Sequence, residues 1–218
     1  MYRCCIFDLD GTLLNTVHAL TFTTNRVLEH FHLPPVNESQ IKHFVGDGYK
    51  MQMKRSLLAA GDKELKYFEE SLPVYMEEFK KYCLYQVEPY EGIREILAFL
   101  KEQGIKIAVF SNKPHEMTME NIEGIFGKGY FDCIQGQIPE IPKKPDPAGV
   151  FMIIEKLKMK PEECLYFGDT NTDMKTGKAA GLDTVGVLWG FRGREELEEF
   201  HPKYLIAAPS EIYPAFKE

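Results

Sequence analysis

The chain has 218 residues, a length that supports one large hydrophobic core or a core with a small second domain. It carries 26 basic and 33 acidic side chains, and its formal charge of -7 argues against a general nucleic-acid binder, which needs a basic face. An acidic protein can still bind phosphate if its cations are concentrated in one pocket.

The five cysteines lack the short paired spacings that hold zinc. Most lie in or beside apolar, strand-like runs, where free thiols are ordinarily buried. They predict a reduced, intracellular protein without disulfides. The first strand follows directly after Met-Tyr-Arg, which leaves no room for a signal peptide, and no apolar run reaches membrane-spanning length. We therefore expect a cytoplasmic protein that binds no membrane.

The first predicted strand is the apolar run 4–7, and a long helical stretch follows it. Apolar residues in that stretch recur at spacings of three and four, as in Phe68 and Leu72, which is the pattern of a helix with one buried face. Pro34-Pro35 and Gly61-Asp62 supply breaks. The sequence predicts helical segments at 16–31, 38–44, 49–60 and 62–83.

From residue 92 onwards, strands and helices alternate. The predicted strands are 105–110, 133–137, 164–168, 184–188 and 204–207, and the predicted helices are 93–103, 116–125, 148–158, 173–180 and one from Arg194. Such alternation predicts a parallel sheet with right-handed crossovers. The expected fold is α/β, with a doubly wound parallel-sheet core at residues 1–14 and 87–218 and a small α-helical insertion at residues 15–86.

Asp8 and Asp10 stand one residue apart, where the first strand opens into Gly11-Thr12. Two carboxylates at the end of a buried strand repel each other, and burial penalises each charge further. Such a pair needs a nearby cation, or a reaction that uses one carboxylate as nucleophile and the other as proton shuttle. The alternative is an Asp-Gly turn with an incidental second aspartate.

Polar residues also follow later strand-like runs. SNKP begins at Ser111, GDTNTD begins at Gly168, and Lys143 and Lys144 lie in a proline-rich loop before helix 148–158. Ligands of open parallel sheets bind outside the carboxyl ends of the strands. These acidic, hydroxyl and basic groups should therefore converge on one pocket.

The strings DLDGTL, SNKP, KKPDP and GDTNTD, in this order, resemble the four signature motifs of the haloacid dehalogenase (HAD) superfamily. The resemblance covers essentially the whole chain and is closest to phosphoglycolate phosphatases, with VGDG, PYEG and LWG in support. It implies a Rossmann-like HAD core with an α-helical cap. It also implies a Mg²⁺-dependent phosphatase, monomeric or homodimeric, that hydrolyses a small phosphorylated metabolite, with 2-phosphoglycolate favoured, through an aspartyl-phosphate.

The resemblance assigns Asp8 as the nucleophile, and Asp10 as the group that protonates the leaving oxygen and then activates water. Lys144, which matches the third motif better than Lys143, offsets the charge on Asp8 and on the phosphoryl group. The phosphate-binding residues implied are Thr12, Ser111 and Asn112. Thr12 is also expected to fix the turn after Gly11 by hydrogen bonding.

The Mg²⁺ ligands implied are the Asp8 side chain, the Asp10 backbone carbonyl, Asp169 and, directly or through water, Asp173. Mg²⁺ prefers oxygen ligands and can bridge a substrate phosphate. Asp173 has a simpler alternative role, because aspartate is favoured near a helix start. Four carboxylates outweigh one metal ion and Lys144, so both cations should be needed.

The segment 41–50 corresponds to the substrate-specificity loop of the family. Gly46 and Gly48 suit a hinge or a close approach to a ligand. Lys50 lies in a locally basic stretch with Lys54 and Arg55, which could meet the carboxylate of a small phosphorylated acid. A solvated helix face is the more usual explanation of these three residues. Gly46 and Lys50 are the candidate substrate-binding residues of the cap.

Other activities share parts of this pattern. Dehalogenases of the superfamily lack the second aspartate, which is present here as Asp10. A phosphomutase of the β-phosphoglucomutase type usually carries a cap histidine where Leu20 falls, with His18 close by. A pyrophosphatase, nucleotidase or sugar-phosphate phosphatase keeps the same core. A non-catalytic regulatory or binding module would be expected to have lost Asp8, Asp10 or Lys144.

Overall fold

A six-stranded parallel sheet forms the centre of the protein, whose computed structural model describes residues 1–216. The strands of the chain are β1 (Cys4–Phe7), β2 (Leu14–Asn15), β3 (Glu88–Pro89), β4 (Lys106–Pro114), β5 (Cys133–Gln137), β6 (Cys164–Gly168), β7 (Asp183–Val187) and β8 (Tyr204–Ile206). The sheet order is β5-β4-β1-β6-β7-β8, which, counted over these six strands, is the doubly wound order 3-2-1-4-5-6. The predicted α/β fold class is confirmed.

Helices connect the strands, and four of them lie between β2 and β3. The helices are α1 (Val17–His30), α2 (Glu38–Phe44), α3 (Tyr49–Ala59), α4 (Phe68–Tyr82), α5 (Ile93–Glu102), α6 (His115–Phe126), α7 (Ala148–Leu157), α8 (Asn171–Ala179) and α9 (Arg194–Glu198), with 3₁₀ turns at Pro161–Glu163 and Pro209–Phe216. Within residues 1–216, no helix combines the length and the apolar character needed to cross a bilayer.

The central strand β1 is buried on both faces. Phe7 packs in one hydrophobic cluster with Leu97 of α5, whereas Ile6 packs in another with Ile153 of α7. Because successive side chains of a strand point to opposite faces, a strand covered on both sides must be apolar at every position. This explains the uninterrupted apolar run that ends at the first aspartate.

The helical insertion α1–α4 packs around a second hydrophobic cluster, which includes Leu57 and Tyr75 and also contains Met117 and Phe191 from outside the insertion. The two-stranded ribbon of β2 and β3 joins the insertion to the sheet, with Leu14 opposite Pro89. The predicted cap boundaries at 15–86 fall within or beside this ribbon. The division into two domains stays a prediction.

The strand predicted at 105–110 extends four residues further at its C-terminal end in the structure, to Pro114. Beyond a register shift, Pro114 pairs with Gln137 of β5, so the polar segment from Ser111 to Lys113 lies within β4 instead of following it. The polar composition of this segment, typical of a loop, conceals the pairing.

The predicted helix at 62–83 begins only at Phe68. The Asp62 carboxylate accepts the backbone N–H groups of Lys66 (2.9 Å) and Tyr67 (3.0 Å). These bonds hold the segment in a turn that competes with helix formation. The predicted helix at 38–44 has the bounds found in the structure.

Two adjacent leucines of α3 test the insertion's own core. Leu57 is fully buried, whereas Leu58 is 41% exposed. We expect Leu57→Ala to lower the free energy of unfolding by about 2–5 kcal/mol, because it leaves a cavity. Leu58→Ala, the matched control, should cost less than about 1 kcal/mol. Urea denaturation followed by circular dichroism measures both, and equal effects would contradict the packing described.

Candidate active site

A small pocket lies between the carboxyl edge of the sheet and the helical insertion. Its volume is about 30 Å³, room for about two water molecules. Charged and polar residues of the sheet side form one wall, namely Asp8, Asp10, Ser111, Asn112, Lys113, Lys144 and Thr170. The insertion forms the other wall, chiefly with Leu20, Val45, Tyr49, Gln52, Tyr75 and Phe79. The pocket is therefore ionic on one side and uncharged on the other.

Three buried carboxylates meet at this edge. Asp8 follows β1, Asp169 follows β6, Asp173 lies in the first turn of α8, and one oxygen of each lies within 4.8 Å of the others. Burial, reinforced by the Asp173 charge, raises the pKa of Asp8 to about 7. Burial, with the charges of Asp173 and Asp8, raises the pKa of Asp169 well above its usual value. Mg²⁺ prefers oxygen ligands, so these clustered carboxylate oxygens suit it.

Lys144 supplies a cation to this cluster. Its Nζ donates to Asp8 Oδ1 and Asp173 Oδ1, both at 2.7 Å, and to the Phe110 carbonyl oxygen at 3.2 Å. Burial opposes its charge, but the two carboxylates raise the pKa of Lys144 well above its usual value. Lys143 instead reaches the backbone of the insertion. The geometry thus places Lys144, and not its neighbour, beside the predicted nucleophile.

Asp173 combines the two roles considered for it. The Thr170 hydroxyl donates to Asp173 Oδ2 at 2.6 Å, and the pair forms a capping box at the start of α8. The other oxygen of Asp173 accepts from Lys144. Helix capping and membership of the carboxylate cluster are therefore simultaneous.

Asp10 stands apart from the cluster. Its Oδ1 lies 2.6 Å from Nζ of Lys113, and the two side chains are only 11% and 2% exposed. The same Nζ donates to Asn121 Oδ1 at 2.7 Å. No role for Lys113 was predicted from the sequence. The sequence does contain a signal for this pair. A lysine in a buried strand needs an oppositely charged partner, because an unpaired buried charge is costly.

The turn after β1 depends on a glycine. Gly11 has φ of +86°, and a Cβ there would lie 2.2 Å from Asp169 Oδ2. The buried Thr12 hydroxyl donates to Asp169 Oδ1 at 3.3 Å. The Thr12 hydroxyl therefore orients the Asp169 carboxylate, and its contact with a phosphoryl group stays a prediction.

Asn112 connects three segments. Its side-chain amide donates to the carbonyl oxygens of Gly46 (2.9 Å) and Lys144 (3.1 Å) and accepts the Lys144 backbone N–H (2.8 Å). The Ser111 hydroxyl accepts the backbone N–H of Lys113 at 3.2 Å. Both residues line the pocket, as does Gly46. Their contact with a phosphoryl group stays a prediction.

The position of Lys50 differs from the predicted one. Its side chain is exposed, and the residues of α3 that line the pocket are Tyr49 and Gln52. Tyr49 and Gln52 are three residues apart and so lie on the same face of the helix. Lys50 follows Tyr49 directly and therefore lies on a different face. In this structure Lys50 belongs to the solvated face.

The insertion is held against the sheet side through its backbone. The Arg192 guanidinium donates to the carbonyl oxygens of Lys42, His43 (3.3 Å) and Val45 (2.9 Å). Lys143 Nζ donates to the Asp47 carbonyl oxygen at 2.8 Å. No role for Arg192 was predicted from the sequence. Its partners are backbone carbonyl oxygens, which every residue has, so the side chains of the partner residues do not reveal the contact.

Comparisons with known proteins agree with this geometry. The family model for haloacid dehalogenase-like hydrolases matches residues 5–187. The chain belongs to this family. Phosphoglycolate phosphatase of Aquifex aeolicus is 30% identical over 210 residues, covering 96% of this chain and 94% of the relative. The Colwellia psychrerythraea enzyme of the same name is 27% identical over 216 residues, covering 97% and 96%.

A solved structure shows the same fold. The crystal structure of a predicted phosphoglycolate phosphatase from Haemophilus somnus has a TM-score of 0.90 and 23% identity, covering 99% of this chain and 98% of its own. The predictions of a HAD-family enzyme and of a phosphatase similar to phosphoglycolate phosphatases are confirmed.

Gly11→Ala tests the turn that carries Asp169. We expect loss of activity, because the new methyl group would collide with the Asp169 carboxylate. Gly104→Ala is the matched control, since Gly104 also has positive φ (+70°) but no atom within 4 Å of a built Cβ. It should cost about 1 kcal/mol of stability and leave turnover intact. Steady-state kinetics and thermal unfolding check both, and similar turnover in the two variants would refute the close approach.

Proposed function

We propose that this protein is a Mg²⁺-dependent phosphomonoester hydrolase that forms an aspartyl-phosphate on Asp8, and that 2-phosphoglycolate is its substrate. The observation that carries the proposal is that the two carboxylates of one motif, Asp8 and Asp10, lie in different environments. Asp8 lies in the acidic cluster beside Lys144, whereas Asp10 pairs with Lys113. Two environments for neighbouring aspartates suit a nucleophile and an acid–base group.

In the first step, an Asp8 carboxylate oxygen attacks phosphorus and the bond from phosphorus to the ester oxygen breaks. Lys144 holds the carboxylate in place and offsets negative charge on the phosphoryl oxygens. When bound, Mg²⁺ supplies further charge neutralisation, with Asp8, Asp169 and Asp173 as the side chains to hold it, joined by the Asp10 backbone carbonyl.

Asp10 moves the proton. It donates a proton to the leaving ester oxygen, so that an alcohol departs, and in its ionised form it then takes a proton from water. That water attacks phosphorus, which releases inorganic phosphate and restores the Asp8 carboxylate. Lys113 holds the Asp10 side chain towards the pocket.

The size of the pocket and the named relatives support a small substrate. The pocket has a volume of about 30 Å³ with the insertion in place and is partly open to solvent, so a small leaving group requires less displacement of the insertion than a bulky one. Relatives that align over nearly the whole chain are named phosphoglycolate phosphatases. The cytoplasmic location and the monomeric or homodimeric state stay predictions from the sequence.

The structure offers little support for a phosphomutase. Leu20 lines the pocket where those enzymes usually carry a cap histidine. His18, the nearest candidate, is partly exposed and pairs with Glu38 at 2.7 Å on the outside of the insertion. The uncharged wall therefore lacks a histidine to move a sugar-hydroxyl proton.

Asp8→Asn tests covalent catalysis. The amide preserves the shape of the side chain but removes the nucleophile, so kcat should fall about a thousandfold or more. Asp183→Asn, at the opposite edge of the sheet and paired with Lys203, serves as a control and should retain wild-type turnover. Phosphate release from 2-phosphoglycolate is the assay. More than a few per cent of wild-type kcat in Asp8→Asn would exclude this nucleophile.

Metal removal tests the acidic cluster. EDTA should abolish turnover and Mg²⁺ should restore it, whereas Ca²⁺ should substitute poorly because its coordination is larger and looser. Mg²⁺ should also raise the Tm of the wild type by binding the folded protein, and Asp169→Asn should reduce that rise. Full activity after exhaustive chelation would contradict the proposed site.

A further inference from the structure

The two lysines that line the pocket differ in how their donors are used. Lys144 Nζ donates to three protein oxygens, which matches the three N–H groups of an ammonium. Lys113 Nζ donates to two, on Asp10 and Asn121, and no third acceptor occurs within residues 1–216. One donor of Lys113 therefore remains for a ligand.

Lys113 also lies where sheet and insertion meet. Its Nζ is 5.2 Å from the centre of the Phe79 ring, and Phe79 belongs to the uncharged wall of the pocket. No residue that the insertion contributes to the described lining is ionised at neutral pH. A negative group on the leaving-group side of a substrate would thus find Lys113 as its cation.

We propose that Lys113 is the specificity-determining residue of this enzyme, binding a carboxylate attached next to the ester carbon of the substrate. The inference rests on the proposed function. It replaces Lys50, the candidate from the sequence, whose side chain is exposed outside the pocket.

The geometry of proton transfer places the leaving oxygen close to Lys113. Asp10 must lie within about 3 Å of that oxygen to protonate it. Lys113 Nζ is 2.6 Å from Asp10 Oδ1, so two successive hydrogen bonds bring the ammonium within about 6 Å of the leaving oxygen. In 2-phosphoglycolate the carboxyl carbon is two covalent bonds from the ester oxygen. Its carboxylate can therefore reach Lys113 while the ester oxygen meets Asp10.

The charges of the site favour the same assignment. Four carboxylates in and beside the pocket are balanced by two lysines and one divalent cation. With all four carboxylates ionised the site is neutral, and with Asp10 protonated, the form that donates to the leaving oxygen, it has an excess of positive charge. In both forms the sheet side does not repel a second anionic group, and without Lys113 one of the compensating positive charges would be missing.

The experiment compares two substrates that differ only in the group next to the ester carbon. 2-Phosphoglycolate carries a carboxylate there, and 2-hydroxyethyl phosphate carries a neutral hydroxymethyl. The wild type should prefer the carboxylate by at least tenfold in kcat/KM. In Lys113→Met the turnover of both should fall, because Asp10 loses its partner, but the preference should fall by a further ten- to a hundredfold, roughly the worth of one charge-assisted hydrogen bond.

Lys50→Met is the matched control and should keep the wild-type preference. An equal fall for the two substrates in Lys113→Met, or a lost preference in Lys50→Met, would overturn the assignment. If Lys113→Met shows no cooperative unfolding transition, the preference is measured in Lys113→Arg, where the displaced charge should change it several-fold and an unchanged value would refute the proposal.

The same measurements distinguish a failure of this inference from a failure of the proposed function. A wild type that hydrolyses both substrates equally well is a phosphatase without carboxylate recognition, which overturns this inference alone. A wild type that hydrolyses neither, with Mg²⁺ present, overturns the proposed function and this inference with it.

Discussion

Repulsion among buried carboxylates is the constraint on which the rest of the site depends. Asp8, Asp169 and Asp173 are brought together by the ends of β1 and β6 and the start of α8, and each is almost fully buried. Like charges at such short range are tolerated only beside cations. Lys144 and the Thr170 hydroxyl each compensate part of this charge, and the proposed Mg²⁺ would compensate the rest.

The sequence predicted the parts of the fold that local patterns encode. The strands around Phe7 and Phe167 are apolar at successive positions because both faces of the sheet are covered, and aspartates mark their ends. The family motifs supplied the predicted roles of those aspartates. Local patterns did not predict the tertiary contacts. Examples are the pairing of Pro114 with β5 and the contacts of Lys113 and Arg192, all of which join residues far apart in the chain.

The two walls of the pocket differ in the charge of the side chains they present. The sheet side carries every ionised side chain of the described lining, whereas the insertion contributes apolar and neutral polar groups. Closure of an uncharged wall over charged groups removes water, and this strengthens their interactions with a substrate. If the proposed function holds, we expect the sheet to determine the chemistry and the insertion to control the size and hydration of the pocket.

The docking of the insertion through backbone carbonyls has an evolutionary consequence. Arg192, Lys143 and Asn112 bind carbonyl oxygens between Lys42 and Asp47, and every amino acid offers that oxygen. Apart from Asp47, whose carboxylate also accepts from the Thr172 hydroxyl at 3.3 Å, and Gly46, whose φ of +118° favours glycine, side chains in this loop can consequently mutate without loss of the anchorage. A common scaffold can in this way diverge towards new leaving groups by point substitution, and loops exchanged between homologues should seat in the same place.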